Sequence, residues 1–217
     1  MVTVSQELIF DDILATVATK GLNIMGGLHE DGNTILLLGP GDNFWPLMRE
    51  SSEMQDGQSD PFDRWSSRVV SQLAETLGAE PQFPFGGPPY KPFLSWAIAT
   101  GRAWSSPVGM LVHDDAGLMV SFRGALKFTR QIVLPPRPEA APCKTCDGQP
   151  CTTGCPVNAL SAEHGYNVDA CHAYLDTPEG KDCMSQGCIA RRACPVSQSF
   201  GRDPEQSAIH MQNFHRS

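Results

Sequence analysis

All eight cysteines of this 217-residue chain lie after residue 142, and four of them fall within thirteen residues, in CKTCDGQPCTTGCP. The spacing of this first set is C-x2-C-x4-C-x3-C-P, through Cys143, Cys146, Cys151, Cys155 and Pro156. A looser second set follows, Cys171, Cys183, Cys188 and Cys194, and it too ends in Cys-Pro, at Pro195. Short gaps let the thiolates of one loop converge on a compact metal centre. In the bacterial ferredoxin run the cysteine before the proline reaches the other cluster of a pair. Proline suits the first turn of a following helix, so the chain is expected to leave the loop there.

Applied to this sequence, that logic predicts crossed ligation of two [4Fe–4S] clusters. Cys143, Cys146, Cys151 and Cys194 would hold one, and Cys155, Cys171, Cys183 and Cys188 the other, with no thiol left over. The two C-x4-C gaps, where a ferredoxin has C-x2-C, depart from that spacing. Two four-thiolate zinc sites and four disulfides are the competing uses of eight cysteines. Arg191 and Arg192, between the last two ligands, are expected on a solvated helix face. His172, beside Cys171, is expected to be a bystander.

The first 134 residues carry no cysteine, so no thiol nucleophile lies outside the set. Ser5 could cap a helix running to about Lys20, with Gly21 as its stop. LNIMGGL and TILLLG read as strands joined by the HEDGN turn, a hairpin signal. The helix over 60–77 is the clearest. Asp60 stands at its N-cap, Pro61 at its first position and Gly78 past its end, and Trp65, Val69, Leu73 and Leu77 make one apolar stripe. The stretch from Pro81 to Pro92, with Phe83, Phe85 and Tyr90, reads as a loop, and residues 92–100 as a short helix. VGMLVHDDAGLMVSF predicts two strands about an Asp-Asp-Ala-Gly turn, which places His113 and Asp114 at a hairpin corner. A further strand is expected within 126–134. GPGDNF has G-x-G without the third glycine and reads as a turn.

These elements predict an α+β fold in two domains, 1–134 and 143–217, joined by the stiff Pro-rich linker PPRPEAAP at 135–142. The net charge is −8 and no segment forms a basic stripe, so neither nucleic acid nor a membrane surface is an expected partner. No apolar run reaches the ~20 residues that span a bilayer. The N-terminal stretch holds Glu7, Asp11 and Asp12 and lacks the pattern of a signal peptide. A reducing, cytoplasmic setting is therefore expected.

The cysteine region resembles the dicluster unit of epoxyqueuosine reductases and the related reductive dehalogenases. CPVNAL is similar to their first cluster motif, and CHAYL, with Cys171, Tyr174 and Leu175, to the segment bearing the next ligand. AWSSPVGMLVHDDAGLMVSFRGAL, Ala103 to Leu126, resembles the tryptophan and strand-turn-strand that precede the clusters in that family. The resemblance covers about residues 90–200. It implies a nitroreductase-like α/β domain followed by a ferredoxin-like module, with electrons passing from the clusters to a corrinoid in the first domain. Trp104 would then be a cofactor-binding residue, and a redox protein would serve as electron donor. The family's acidic proton donor maps onto Gly87, and no acid lies between Glu80 and His113. Its C-terminal helical repeats have no counterpart before Ser217, so epoxyqueuosine reduction itself is not expected. The corrinoid Asp-x-His-x-x-Gly motif is not met at His29 either, because Gly27 stands in place of its aspartate. The rival expectation is a non-enzymatic two-cluster electron carrier whose first domain docks a partner. An exposed Pro81–Pro92 loop would favour it, and a loop closed over an apolar cavity would favour a corrinoid or small-molecule site.

Overall fold

The computed structural model describes residues 9–161 and 163–216. The fold is α+β with small antiparallel sheets. In chain order its strands are β1 (Leu22–Glu30), β2 (Asn33–Pro40), β3 (Glu80–Gln82), β4 (Ala103–Ser105), β5 (Leu111–His113), β6 (Gly124–Phe128), β7 (Leu160–Ser161) and β8 (Gly165–Tyr166). Its helices are α1 (Phe10–Ala18), α2 (Phe44–Arg49), α3 (Ser52–Gln55), α4 (Pro61–Leu77), α5 (Phe93–Ala99), α6 (Val168–Leu175), α7 (Lys181–Gln186), α8 (Ile189–Arg192), α9 (Pro195–Phe200) and α10 (Pro204–Arg216). Among the described residues no helix is long and apolar enough to cross a membrane. The expected cap at Ser5 lies outside the described residues.

The chain forms two compact units, and the division is not a single cut. The first takes residues up to Gly101 together with Ser121–Arg137, and the second takes Arg102–Val120 and Pro138–Ser217. The last boundary falls inside the expected linker. Residues 102–120, expected in the N-terminal domain, belong instead to the cysteine-bearing unit.

The first unit is built on the sheet β1-β2-β6-β3, antiparallel throughout. Asp31 and Gly32 make the two-residue turn between β1 and β2, both at positive φ (49° and 78°), the condition for a hairpin turn that follows the strand twist. β2 is one of the two inner strands, and every residue from Thr34 to Pro40 is buried, so it reads as an apolar run without alternation. Helix α4 packs on β3 and β6 and meets α1. It buries the expected stripe Trp65, Val69, Leu73 and Leu77, and Gly78 ends it in the left-handed conformation (φ 66°). Asp60 sits at its N-cap position but makes no side-chain cap bond. Beyond β3 the loop to Pro92 stays irregular, and Tyr90 is 65% exposed.

The second unit holds two two-stranded sheets, β4–β5 and β7–β8, and helices α6 to α10. The hairpin expected around Asp-Asp-Ala-Gly is only half formed. β5 pairs with β4, and past the turn Gly117 makes a single bridge to His113. The reason lies in where the next backbone groups go. The Leu118 N–H donates to Ser197 Oγ (2.9 Å), the Leu118 carbonyl accepts from Arg191 Nε (2.6 Å), and the Met119 carbonyl accepts from Arg202 (3.1 Å). Groups committed to side chains cannot also form a ladder. The last expected strand forms as β6, two residues earlier than its expected start and ending at Phe128.

Candidate metal centre

Seven of the eight cysteines take their place from a short local device. Cys143 and Cys151 lie in one-turn 3-10 segments opened by Pro142 and Pro150. Cys171 lies in α6, whose N-cap Asn167 accepts from the Ala170 N–H at 3.0 Å. Cys183 lies in α7, and Gly187, at φ 89°, ends that helix so that Cys188 precedes α8. Cys194 precedes α9 with Pro195 at its first position, as expected. After Pro156 the chain makes a turn and no helix. Asn158 adopts φ 49°, its N–H returns to the Cys155 carbonyl (3.0 Å), and the Ala159 N–H donates to the Cys155 sulfur (3.2 Å).

In space the thiols fall into two groups. Cys143, Cys146, Cys151 and Cys194 line one cavity of about 330 Å³, with Val112, Leu118 and Pro195 in its wall. Burial pushes the Cys143 thiol up, and charge on Cys151, Cys194 or Cys146 would raise it further. Cys151 is raised by burial and by Cys194, against backbone hydrogen bonds that lower it. The other neighbours are Cys155, Cys171, Cys183 and Cys188. Burial raises Cys171, the Tyr166 phenol opposes this, and Cys188 and Cys155 add to the rise. Burial raises Cys183, the Ile189 backbone bond opposes this, and Cys188 adds to it. All eight cysteines are free thiols. Among the described residues no three His, Cys, Asp or Glu side chains stand close enough to hold a single metal ion. Such an ion at a 2.3 Å bond length would draw four sulfurs to about 4 Å of one another.

The grouping crosses the sequence order. Cys155 ends the first set but neighbours Cys171 and Cys188, and Cys194 ends the second set but neighbours Cys143 and Cys151. The donor chemistry fits an iron–sulfur cluster in each group, because thiolates are the usual ligands and N–H or O–H bonds to sulfur tune the centre. Buried apolar side chains, including Val108, Val112 and Leu160, pack around Cys151 and Cys194.

Trp104 sits on β4 in this unit, partly buried against the apolar cluster that contains Cys151 and Cys194. It is therefore not a residue of the first unit. Arg191 is not on a solvated face. Burial lowers its pKa, Cys188 and Tyr166 oppose that, and its Nε is anchored on Leu118. Arg192 is the outward one, paired with Asp182 and donating to the Gly187 carbonyl (3.0 Å). His172 is stacked on Phe214, and its Nδ1 is 2.8 Å from that of His215, which reaches Asp176 through Nε2 at 2.9 Å. His113 is a buried corner residue whose Nδ1 accepts the N–H groups of Asp115 and Ala116 (3.1 and 3.2 Å). Asp114 takes a bond from Arg102 Nε at 2.9 Å. In the first unit His29 is exposed at the end of β1, with Nδ1 3.1 Å from Thr34 Oγ1.

Tyr166 escaped the sequence reading. Its segment, AEHGYNVDAC, carries no periodic or spacing signal that would single out a phenol aimed at a thiol. No family model, no curated protein and no solved structure matches the chain.

Proposed function

We propose that the second unit carries two [4Fe–4S] clusters and that the protein transfers single electrons. The observation that supports this most strongly is the interleaving of the thiols, Cys194 with the first group and Cys155 with the second, as in two-cluster ferredoxins. The clusters would supply one-electron reduction and oxidation. The chain's own residues would hold them by thiolate, donate to the Cys155 sulfur from the Ala159 N–H, and surround the first group with apolar side chains. The finer likeness to a ferredoxin-like module after a nitroreductase-like unit is inferred from the sequence resemblance, and a reducing, cytoplasmic setting would keep the thiols available.

Between the two expected roles, the loop from Pro81 to Pro92 favours the carrier. Tyr90 is largely exposed, and Pro88 and Pro89 are exposed as well. An exposed loop fits the carrier role better than a closed corrinoid site.

Anaerobic reconstitution followed by iron and acid-labile sulfide analysis tests the clusters. About eight of each per chain is the expected result, and two zinc ions without sulfide would overturn it. A titration with cob(II)alamin tests the role. The carrier reading expects no saturable change in the corrinoid bands, and a saturable change at one equivalent would make the first unit a corrinoid site.

A further inference from the structure

Among the described residues, the second unit leaves three large apolar side chains exposed, Val157, Tyr166 and Val168, at 38%, 41% and 40%. All three border the second thiol group. Val157 is two residues from Cys155, and Val168 is three residues before Cys171. Tyr166 is five residues before Cys171, and its phenol interacts with that thiol. The Asn167 N–H donates to the Ala159 carbonyl at 2.8 Å, which sets these two segments side by side. Around the first group the exposed residues include Lys144, Thr145, Asp147, Gly148, Thr153 and Pro195, and only Pro195 among these is apolar.

The exposed charge in the stretch around this patch is mostly acidic, with Asp182 paired to Arg192 and Asp176 to His215. Between residues 155 and 182 the chain has five carboxylates, Glu163, Asp169, Asp176, Glu179 and Asp182, against the single Lys181, and all six are exposed. Beyond residue 182 the excess reverses, with four arginines against Asp203 and Glu205. An apolar centre inside a charged rim is the usual anatomy of a docking surface, and one-sign rims steer the encounter.

We propose that the face formed by Val157, Tyr166 and Val168 is where the protein exchanges electrons with a partner, a one-electron redox protein presenting a basic rim. This rests on the two-cluster reading above. In each encounter one electron crosses between the centre held by Cys155, Cys171, Cys183 and Cys188 and the partner's one-electron centre. One is oxidised as the other is reduced, and no bond is made or broken. The exposed apolar face lies beside the second group, so the transfer takes place there and not at the first group.

The probe is a basic c-type cytochrome in its ferric state, added to the reconstituted full chain. Calorimetry without reductant reads binding, and stopped-flow after reduction of the chain reads electron transfer. Glu163→Lys with Asp169→Lys should weaken binding and slow transfer on the order of tenfold at low salt, and should flatten the salt dependence of both. Val168→Ser should weaken binding while leaving the salt slope unchanged. Asp42→Lys with Glu75→Lys, exposed acids of the first unit, should change neither. Full iron and sulfide content with wild-type binding and rate in the Glu163/Asp169 variant would overturn this face alone. Wild-type chain without iron and sulfide would overturn the two-cluster reading and this proposal with it.

Discussion

The Tyr166 phenol, on the hairpin β7–β8, interacts with the Cys171 thiol and opposes the rise that burial causes in its pKa. Burial raises the pKa of the phenol, and the thiol adds to that, so Tyr166 stays a donor. A donor to a cluster thiolate stabilises the more negative, reduced state. Tyr166→Phe should therefore lower the potential of the second centre by tens of millivolts, on the order of a differential hydrogen bond, and leave the first unchanged. Potentiometric EPR measures both, and equal shifts in the two centres would contradict this geometry.

Crossed grouping has a signature that sequential grouping lacks. Cys194→Ser should lose the centre shared with Cys143, Cys146 and Cys151, and Cys155→Ser the one shared with Cys171, Cys183 and Cys188. Each variant should keep about half the iron, and the residual EPR signals of the two should differ. If Cys155→Ser and Cys151→Ser instead lose the same signal, the chain groups its thiols in sequence order.

Gly117 allows a close approach that positions Cys194. A Cβ at Gly117 would lie 2.5 Å from the Ser197 nitrogen and 2.7 Å from its Oγ, and Ser197 belongs to α9, which starts just after Cys194. Gly117→Ala should cost about 2–3 kcal/mol, as overpacking does. It should also reduce iron in the first group more than in the second. Denaturant unfolding and iron analysis check the two parts separately.

In the first unit Arg68 bonds Glu53 through Nε (2.5 Å) and its terminal nitrogen (3.0 Å), and this partner holds the Glu53 carboxyl down at about 2, from an ordinary 4.5. A depressed carboxyl stabilises the fold above its unfolded value and loses that contribution as pH falls through its folded value. The contribution should thus be complete above pH 4.5 and gone below about 2. Arg68 is 44% exposed, so screening reduces it to about 1 kcal/mol. Glu53→Gln should lose that much at pH 7 in urea unfolding, and the gap to wild type should close in acid.

The features that the sequence states locally are the ones it foretold. Asp-Gly needs positive φ and forms the β1–β2 turn, and a four-residue stripe closed by Gly78 forms α4. Cysteine spacing announced two groups, and the proline after Cys155 and Cys194 hinted at their crossing. Residues 102–120 were misassigned because their backbone partners are Arg191, Ser197 and Arg202, more than seventy residues downstream. No local pattern carries such information. The same holds for Tyr166, whose role depends on a turn that brings it over Cys171, and for Arg191, whose burial depends on Leu118.

The discontinuous second unit sets an order on synthesis. The chain passes from one unit to the other after Gly101, Val120 and Arg137. As it emerges from the ribosome, the sheet of the first unit lacks the strand between β2 and β3 until residues 124–128 arrive, by which time β4 and β5 are already out and waiting for helices still to be made. A fragment cut at the proline-rich stretch would leave those two strands on the wrong piece. The natural seam for dissecting this protein is therefore not its linker, and an excised cysteine module needs residues 102–120 grafted back to it.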